Sequence, residues 1–190
     1  MAKSVNLDEV KKHHKAGSMF ILAILQNAMT HDVRDVGKNM PIFFTINPRN
    51  YTGKKLYKMT RGHYMVVTNA CPILGYGPKS KGETDLDHIK KGIYYKFPNI
   101  EKKFDMLLVC GKQAQEAVYQ IEEEIDVPII FMPHPASRTL TNLLTDRVEE
   151  YINCIHGEIN DYHRIQLIQQ KGRVDLNIKM KHQEKKFILQ

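Results

Sequence analysis

The chain has 190 residues, 42% hydrophobic and 26% charged, which suits one domain with a substantial core rather than two. No apolar run approaches bilayer-spanning length and the N-terminus lacks a signal-peptide pattern. Both features argue against membrane and secretory classes, so an intracellular protein is expected, cytoplasmic or, in a eukaryote, nuclear. Cys71, Cys110 and Cys154 lie far apart with no CxxC pair, which supports neither a zinc site nor an iron–sulfur cluster; no metal and no other cofactor is expected. The net charge of +7 is unevenly spread. No acid occurs between Asp35 and Glu83, an interval that holds Lys38, Arg49, Lys54, Lys55, Lys58, Arg61, Lys79 and Lys81. The tail from Arg164 to Gln190 is basic as well. One-signed stretches of this kind suit a polyanion, of which nucleic acid is the commonest.

In chain order, residues 4–32 read as helical. Ser4 or Asn6 can cap, and Leu7, Val10 and the run Met19 to Leu25 supply an apolar face that Gly17 can divide in two. A turn over Lys38–Pro41 precedes a first buried strand, Ile42–Ile46, which ends in Asn47-Pro48. A loop rich in Gly, Lys and Tyr follows to Arg61. A second strand over His63–Thr68 ends in Asn69-Ala70-Cys71-Pro72, and Leu74–Gly82 is a Gly/Pro/Lys-rich loop. A helix is expected over Asp85–Tyr95. The third strand, Phe104–Cys110, is released by Gly111 into a helix over Lys112–Ile125.

The fourth strand, Val127–Met132, is stopped by Pro133-His134-Pro135, where neither proline can donate a ladder hydrogen bond. Behind it Ser137 or Thr139 can cap a helix with an apolar stripe of Leu140, Leu143, Leu144, Val148, Tyr151, Ile152 and Ile155. In the tail, Tyr162–Gln169 reads as a helix and Val174–Met180 alternates like an edge strand.

Short continuous apolar runs separated by helices imply an α/β protein: a single domain, a three-layer α/β/α sandwich around a central, mostly parallel four-stranded sheet. The domain is expected over residues 1–160, with 161–190 as a basic C-terminal extension. Asn47, Asn69, Gly111 and His134 each follow a strand, the end of an open α/β sheet where ligands bind. The segment behind His134 also opens a helix N-terminus, which favours anions.

Ile46-Asn47-Pro48 after a strand resembles the first motif of the uracil-DNA glycosylase superfamily, closest to the Asn-Pro form of mismatch-specific uracil/thymine glycosylases. Thr68-Asn69-Ala70 resembles the family's base-reading asparagine. Leu107–Ala114 is similar to its strand–Gly–Lys–helix segment, and His134-Pro135 with Ser137 resembles its His-Pro-Ser loop. The motifs follow one another in family order over roughly residues 40–150.

The resemblance implies a monofunctional DNA glycosylase that hydrolyses the N-glycosidic bond of a flipped, uracil-like or C5-modified pyrimidine and leaves an abasic site. Asn47 would place the water, and His134 would stabilise the negative charge that develops on base O2. Asn69 can pair with O4 and N3–H of the base. Pro48, Arg49, Tyr51 and Ser137 would complete the substrate site, with Tyr57 and Tyr64 as further stacking candidates. Arg138 or Leu140 would act as the wedge. Lys54, Lys55, Lys79 and Lys81, with Arg138, would hold phosphates of DNA that is duplex with a flipped base or single-stranded. Asn47 stands where many family members carry an acid, which implies slow turnover. Arg49 and Ala136 depart from the family pattern, and an open C5 side would admit thymine or a modified base. Two alternatives remain: a glycosylase for hydroxymethylated or glycosylated bases in foreign DNA, and an inert binder of flipped bases or abasic sites. A monomer without metal or membrane partners is expected.

Overall fold

The structure, a computed structural model, describes residues 3–12, 17–77, 85–89, 103–125, 127–157 and 173–175. The elements in chain order are β1 (Lys3–Ser4), α1 (Leu7–Lys12), β2 (Phe20–Leu25), β3 (Met29–Thr30), β4 (Phe44–Thr45), α2 (Tyr51–Met59) and β5 (Tyr64–Asn69). They continue with β6 (Gly75–Tyr76), α3 (Leu86–Ile89), β7 (Met106–Cys110), α4 (Lys112–Tyr119), β8 (Ile129–Met132), α5 (Asn142–His156) and β9 (Arg173–Asp175).

The α/β class holds, but the sheet is larger than four strands. Among the described residues seven strands lie in the order β1-β4-β5-β2-β7-β8-β9. From β5 to β9 every pairing is parallel, and β4 alone runs against its neighbours. A separate parallel pair joins β3 to β6.

The expected N-terminal helix over 4–32 is the main error. Among the described residues of that span only Leu7–Lys12 is helical, and Phe20–Leu25 is the central strand of the sheet. All six of its residues are buried, so the run shows no alternation by which a strand could be told from a buried helix. Phe20, Leu22 and Ile24 enter one core cluster with Leu7, Ile89, Ala114, Ala117 and Val118. Ile21, Ala23 and Leu25 enter the other with Leu56, Met59, Leu144, Val148 and Ile152. Helices α1, α3 and α4 therefore cover one face, and α2 and α5 the other, which makes three layers.

The expected loop from Asn47 to Arg61 contains α2. Asn50 caps it by accepting the Gly53 amide at 2.6 Å, and Leu56 and Met59 face the core. Gly53, which disguised the helix, is needed because a Cβ there would stand 2.1 Å from the Asn47 carbonyl oxygen. The Ile42–Ile46 strand shrinks to Phe44–Thr45 and lies antiparallel to β5, with Phe44 opposite Val67. Helix α4 stops at Tyr119 and a separate 3-10 turn spans Glu122–Glu124. Helix α5 is capped by neither Ser137 nor Thr139 but by Thr141, whose hydroxyl accepts the Leu144 amide at 3.2 Å; Leu143 is half exposed.

The strand over Val174–Met180 is described only at Arg173–Asp175, which pairs with β8 at the sheet edge. The helix over Tyr162–Gln169 and the second part of Asp85–Tyr95 lie outside the described residues. Among the described residues no helix is long and apolar enough to cross a membrane, and no group of His, Cys, Asp or Glu could hold a metal ion.

Candidate functional site

The register decides which residues meet. Leu25 stands opposite Asn69, Ile24 opposite Val109, and Cys110 opposite Met132. The carboxyl ends of β2, β5, β7 and β8 thus form one edge, and the polar residues that follow them share it.

On β8 that edge is tightly held. The Met132 carbonyl accepts both the Gly111 amide at 2.8 Å and the Gln115 side-chain amide at 2.7 Å. His134 follows, half-buried between Pro133 and the buried Pro135. Its Nδ1 accepts the Ala136 amide at 3.1 Å, and its carbonyl accepts the Ser137 amide at 2.7 Å. An accepting Nδ1 puts the proton of the neutral ring on Nε2. Burial pushes the imidazole below its ordinary pKa, so the ring is neutral at neutral pH and offers an N–H. Gly111 makes room for it. Its φ of 90° suits glycine, and a Cβ there would lie 3.0 Å from the His134 Cβ.

Asn69, the last residue of β5, is 2% exposed, and its Nδ2 has no hydrogen-bond partner among the described residues. Alternation along β5 puts its side chain on the face of Met65 and Val67, which α2 and α5 cover. His134 continues the same alternation from Ile130 and Met132. The structure therefore brings Asn69, Gly111 and His134 to one edge, as expected.

Asn47 does not join them. Its strand is antiparallel to the rest, so the chain leaves β4 heading toward the amino ends of the parallel strands. Asn47 is exposed, its Oδ1 accepts the Arg49 amide at 2.8 Å, and its carbonyl accepts the Asn50 amide. That is an Asx turn opening α2. Among the described residues no hydrogen bond links it to Asn69 or His134.

The residues that do stand in the middle of the edge are Gln26 and Asn27, directly after β2. The ladder continues past the strand through Ala70 N to Leu25 O and Cys71 N to Gln26 O, each 2.7 Å. The chain bends at Gln26, and the Asn27 side-chain amide donates to the Ala28 carbonyl at 3.4 Å. Reading 4–32 as helix hid the pair. The signal was there: a six-residue apolar run ended by two amides, the pattern that marked Asn69.

The other expected contacts divide. Pro48, Arg49, Lys54 and Arg138 are exposed, and Tyr51 is 59% exposed in the first turn of α2. Lys55 is turned inward: its Nζ donates to the Leu140 carbonyl at 2.6 Å and sits 4.8 Å from the Tyr51 ring centre. Ser137 is bound to Thr139, its Oγ 2.7 Å from the Thr139 Oγ1 and accepting the Thr139 amide at 3.2 Å. Leu140 is core at 2% exposure, so of the two wedge candidates only Arg138 reaches the surface. Tyr64 packs on the core, its ring 5.7 Å from that of Phe20, and the Tyr57 hydroxyl donates to the Ile46 carbonyl. Lys79 and Lys81 lie outside the described residues. No protein-family model matches this chain, and no curated protein matches it in sequence.

Proposed function

We propose that the protein is a monofunctional DNA glycosylase acting on a flipped or single-stranded pyrimidine. The observation that carries this reading is a neutral histidine, with its Nε2–H unengaged among the described residues, on the same sheet edge as a buried asparagine amide that lacks a partner. An unpaired buried amide N–H costs about 1–3 kcal/mol, a cost that a ligand oxygen would remove.

In the reaction the C1′–N bond breaks and its electron pair passes to the base, where negative charge collects on O2. His134 Nε2–H donates to that oxygen as an oxyanion donor does, a role typically worth about 3–4 kcal/mol of barrier. Asn69 donates to a base carbonyl and so favours a 4-keto edge over a 4-amino one. Water adds to C1′ and releases a proton to solvent while the departing base anion takes one up from solvent, yielding the free base and an abasic site. Asn47, expected to orient this water, lies off the edge, and Asn27, which follows β2 at the edge, is the amide offered for that role here. An amide is no general base, so slow turnover remains the expectation. Arg49, Lys54, Tyr51 and Arg138, all exposed, are left as the DNA contacts.

The test is single-turnover base release, read by mass spectrometry, from DNA carrying uracil, thymine opposite guanine, 5-hydroxymethyluracil, or native or glucosylated hydroxymethylcytosine. Release of one of these bases, abolished by His134→Ala with DNA affinity intact, is the expected result. A modified base released with uracil untouched would favour the foreign-DNA variant of the reading. Binding without release of any base would replace the enzyme by an inert binder.

A further inference from the structure

The loop from Pro133 to Leu140 carries His134 and is shaped by its own hydrogen bonds: Ala136 N to His134 Nδ1, Ser137 N to His134 O, Thr139 N to Ser137 Oγ and Leu140 N to Ser137 O. Those bonds fix its form and not its place on the sheet. Its place is set at the two ends. Before the loop, the Met132 carbonyl accepts Gln115 Nε2 at 2.7 Å from α4, with Gln115 itself 6% exposed. At its end, the Leu140 carbonyl accepts Lys55 Nζ at 2.6 Å from α2. The two helices belong to opposite faces of the sheet, so the loop is moored to both outer layers.

The mooring at Leu140 is an ammonium on a carbonyl, stronger than a neutral pair. The Tyr51 ring lies 4.8 Å from the same nitrogen and adds a cation–π contact. A lysine so engaged is poorly placed to reach a phosphate.

We propose, resting on the reaction above, that Lys55 and Gln115 are positioning residues for His134, which hold its loop between α2 and α4 without touching DNA. Removing the Lys55 ammonium leaves that end of the loop held by the buried Leu140 side chain without its polar mooring, and His134 shifts from the point where base O2 would sit. Displacements of about 1 Å in such a group cost roughly 10²-fold in rate.

Lys55→Met keeps the aliphatic stem and deletes the ammonium. Three readouts are compared with the unsubstituted chain: the single-turnover rate at saturating enzyme, the salt dependence of DNA binding, and the histidine NMR signals of the protein without DNA. The expected result is a rate lower by roughly 10²-fold, an unchanged salt slope, and a shifted His134 signal with those of His63 and His88 in place. A phosphate contact gives the reverse: a salt slope reduced by about 0.9, the saturating rate kept, and an unmoved His134 signal. That result overturns the proposal. Gln115→Met is the second variant and should move the same His134 signal from the other end of the loop; an unmoved signal in both variants also overturns it. The NMR readout needs no turnover. A shifted His134 signal in a protein that releases no base sustains the mooring and removes the glycosylase reading.

Discussion

Gly111→Ala tests how closely β7 and the His134 loop are fitted. The residue sits at φ 90° and ψ 157°, a region open essentially only to glycine, and forcing a side chain into it costs about 1–3 kcal/mol. The new methyl would meet His134 Cβ at 3.0 Å, with Cα and Cδ2 each at 3.6 Å, so the imidazole must retreat by several tenths of an ångström. It cannot do so freely, because Met132 O accepts both Gly111 N and the buried Gln115 amide. A loss of about 2–3 kcal/mol follows, which denaturant titration would measure directly. For a chain of this size that corresponds to a melting temperature lower by roughly 4–12 °C. Base release at saturating enzyme should fall by roughly 10²-fold with DNA affinity unchanged. A Gly111→Ala protein within about 0.5 kcal/mol of the original stability would refute the reasoning, since this is the range of substitutions that strain nothing.

The two wedge candidates separate by stability. Leu140→Ala should cost about 2–5 kcal/mol on denaturation because it empties a core position, whereas Arg138→Ala should stay within about 0.5 kcal/mol and weaken DNA binding. For His134, burial favours the neutral ring in the folded state, so its NMR titration midpoint should lie below the ordinary histidine value. The sign follows from linkage. The unfolded chain takes up this proton first, so the contribution of His134 to stability is complete above about pH 6.5 and is lost as pH falls below it. His134→Gln should flatten the acid limb of stability against pH, and an unchanged limb would contradict the burial argument.

Much of the fold was legible in short apolar runs with abrupt polar ends. Val127–Met132 before Pro133 and Phe104–Cys110 before Gly111 contain β8 and β7, and the second strand differs from β5 by one residue at each end. His134 and Asn69 were legible for the same reason. Phe20–Leu25 was not, because a strand buried on both faces carries no period and the caps at Ser4 or Asn6 with Leu7 and Val10 before it open a helical pattern that the run extends. That single error also left Gln26 and Asn27, which follow the strand, out of the residues expected at the sheet edge. Helix α2 was hidden by Gly53 and by lysines that read as a loop, although the spacing of Leu56 and Met59 was available. The direction of Lys55 was beyond sequence reasoning: a lysine in a basic stretch reads as a phosphate contact until its nitrogen is found on a carbonyl.

The position of β2 has a consequence for how the chain is made. It is the second strand in sequence yet pairs on both sides with strands formed much later, Tyr64–Asn69 and Met106–Cys110. On a ribosome adding about 5–20 residues per second, roughly 85 residues separate the end of β2 from the end of β7, or some 4–17 s. Throughout that interval an uncharged Phe-Ile-Leu-Ala-Ile-Leu segment has one edge without its partner strand, and until Asn69 is made it has neither. The strand that centres the finished sheet is thus a segment that waits long for its partners as the chain is made, and charges introduced into it would trade aggregation for a broken core.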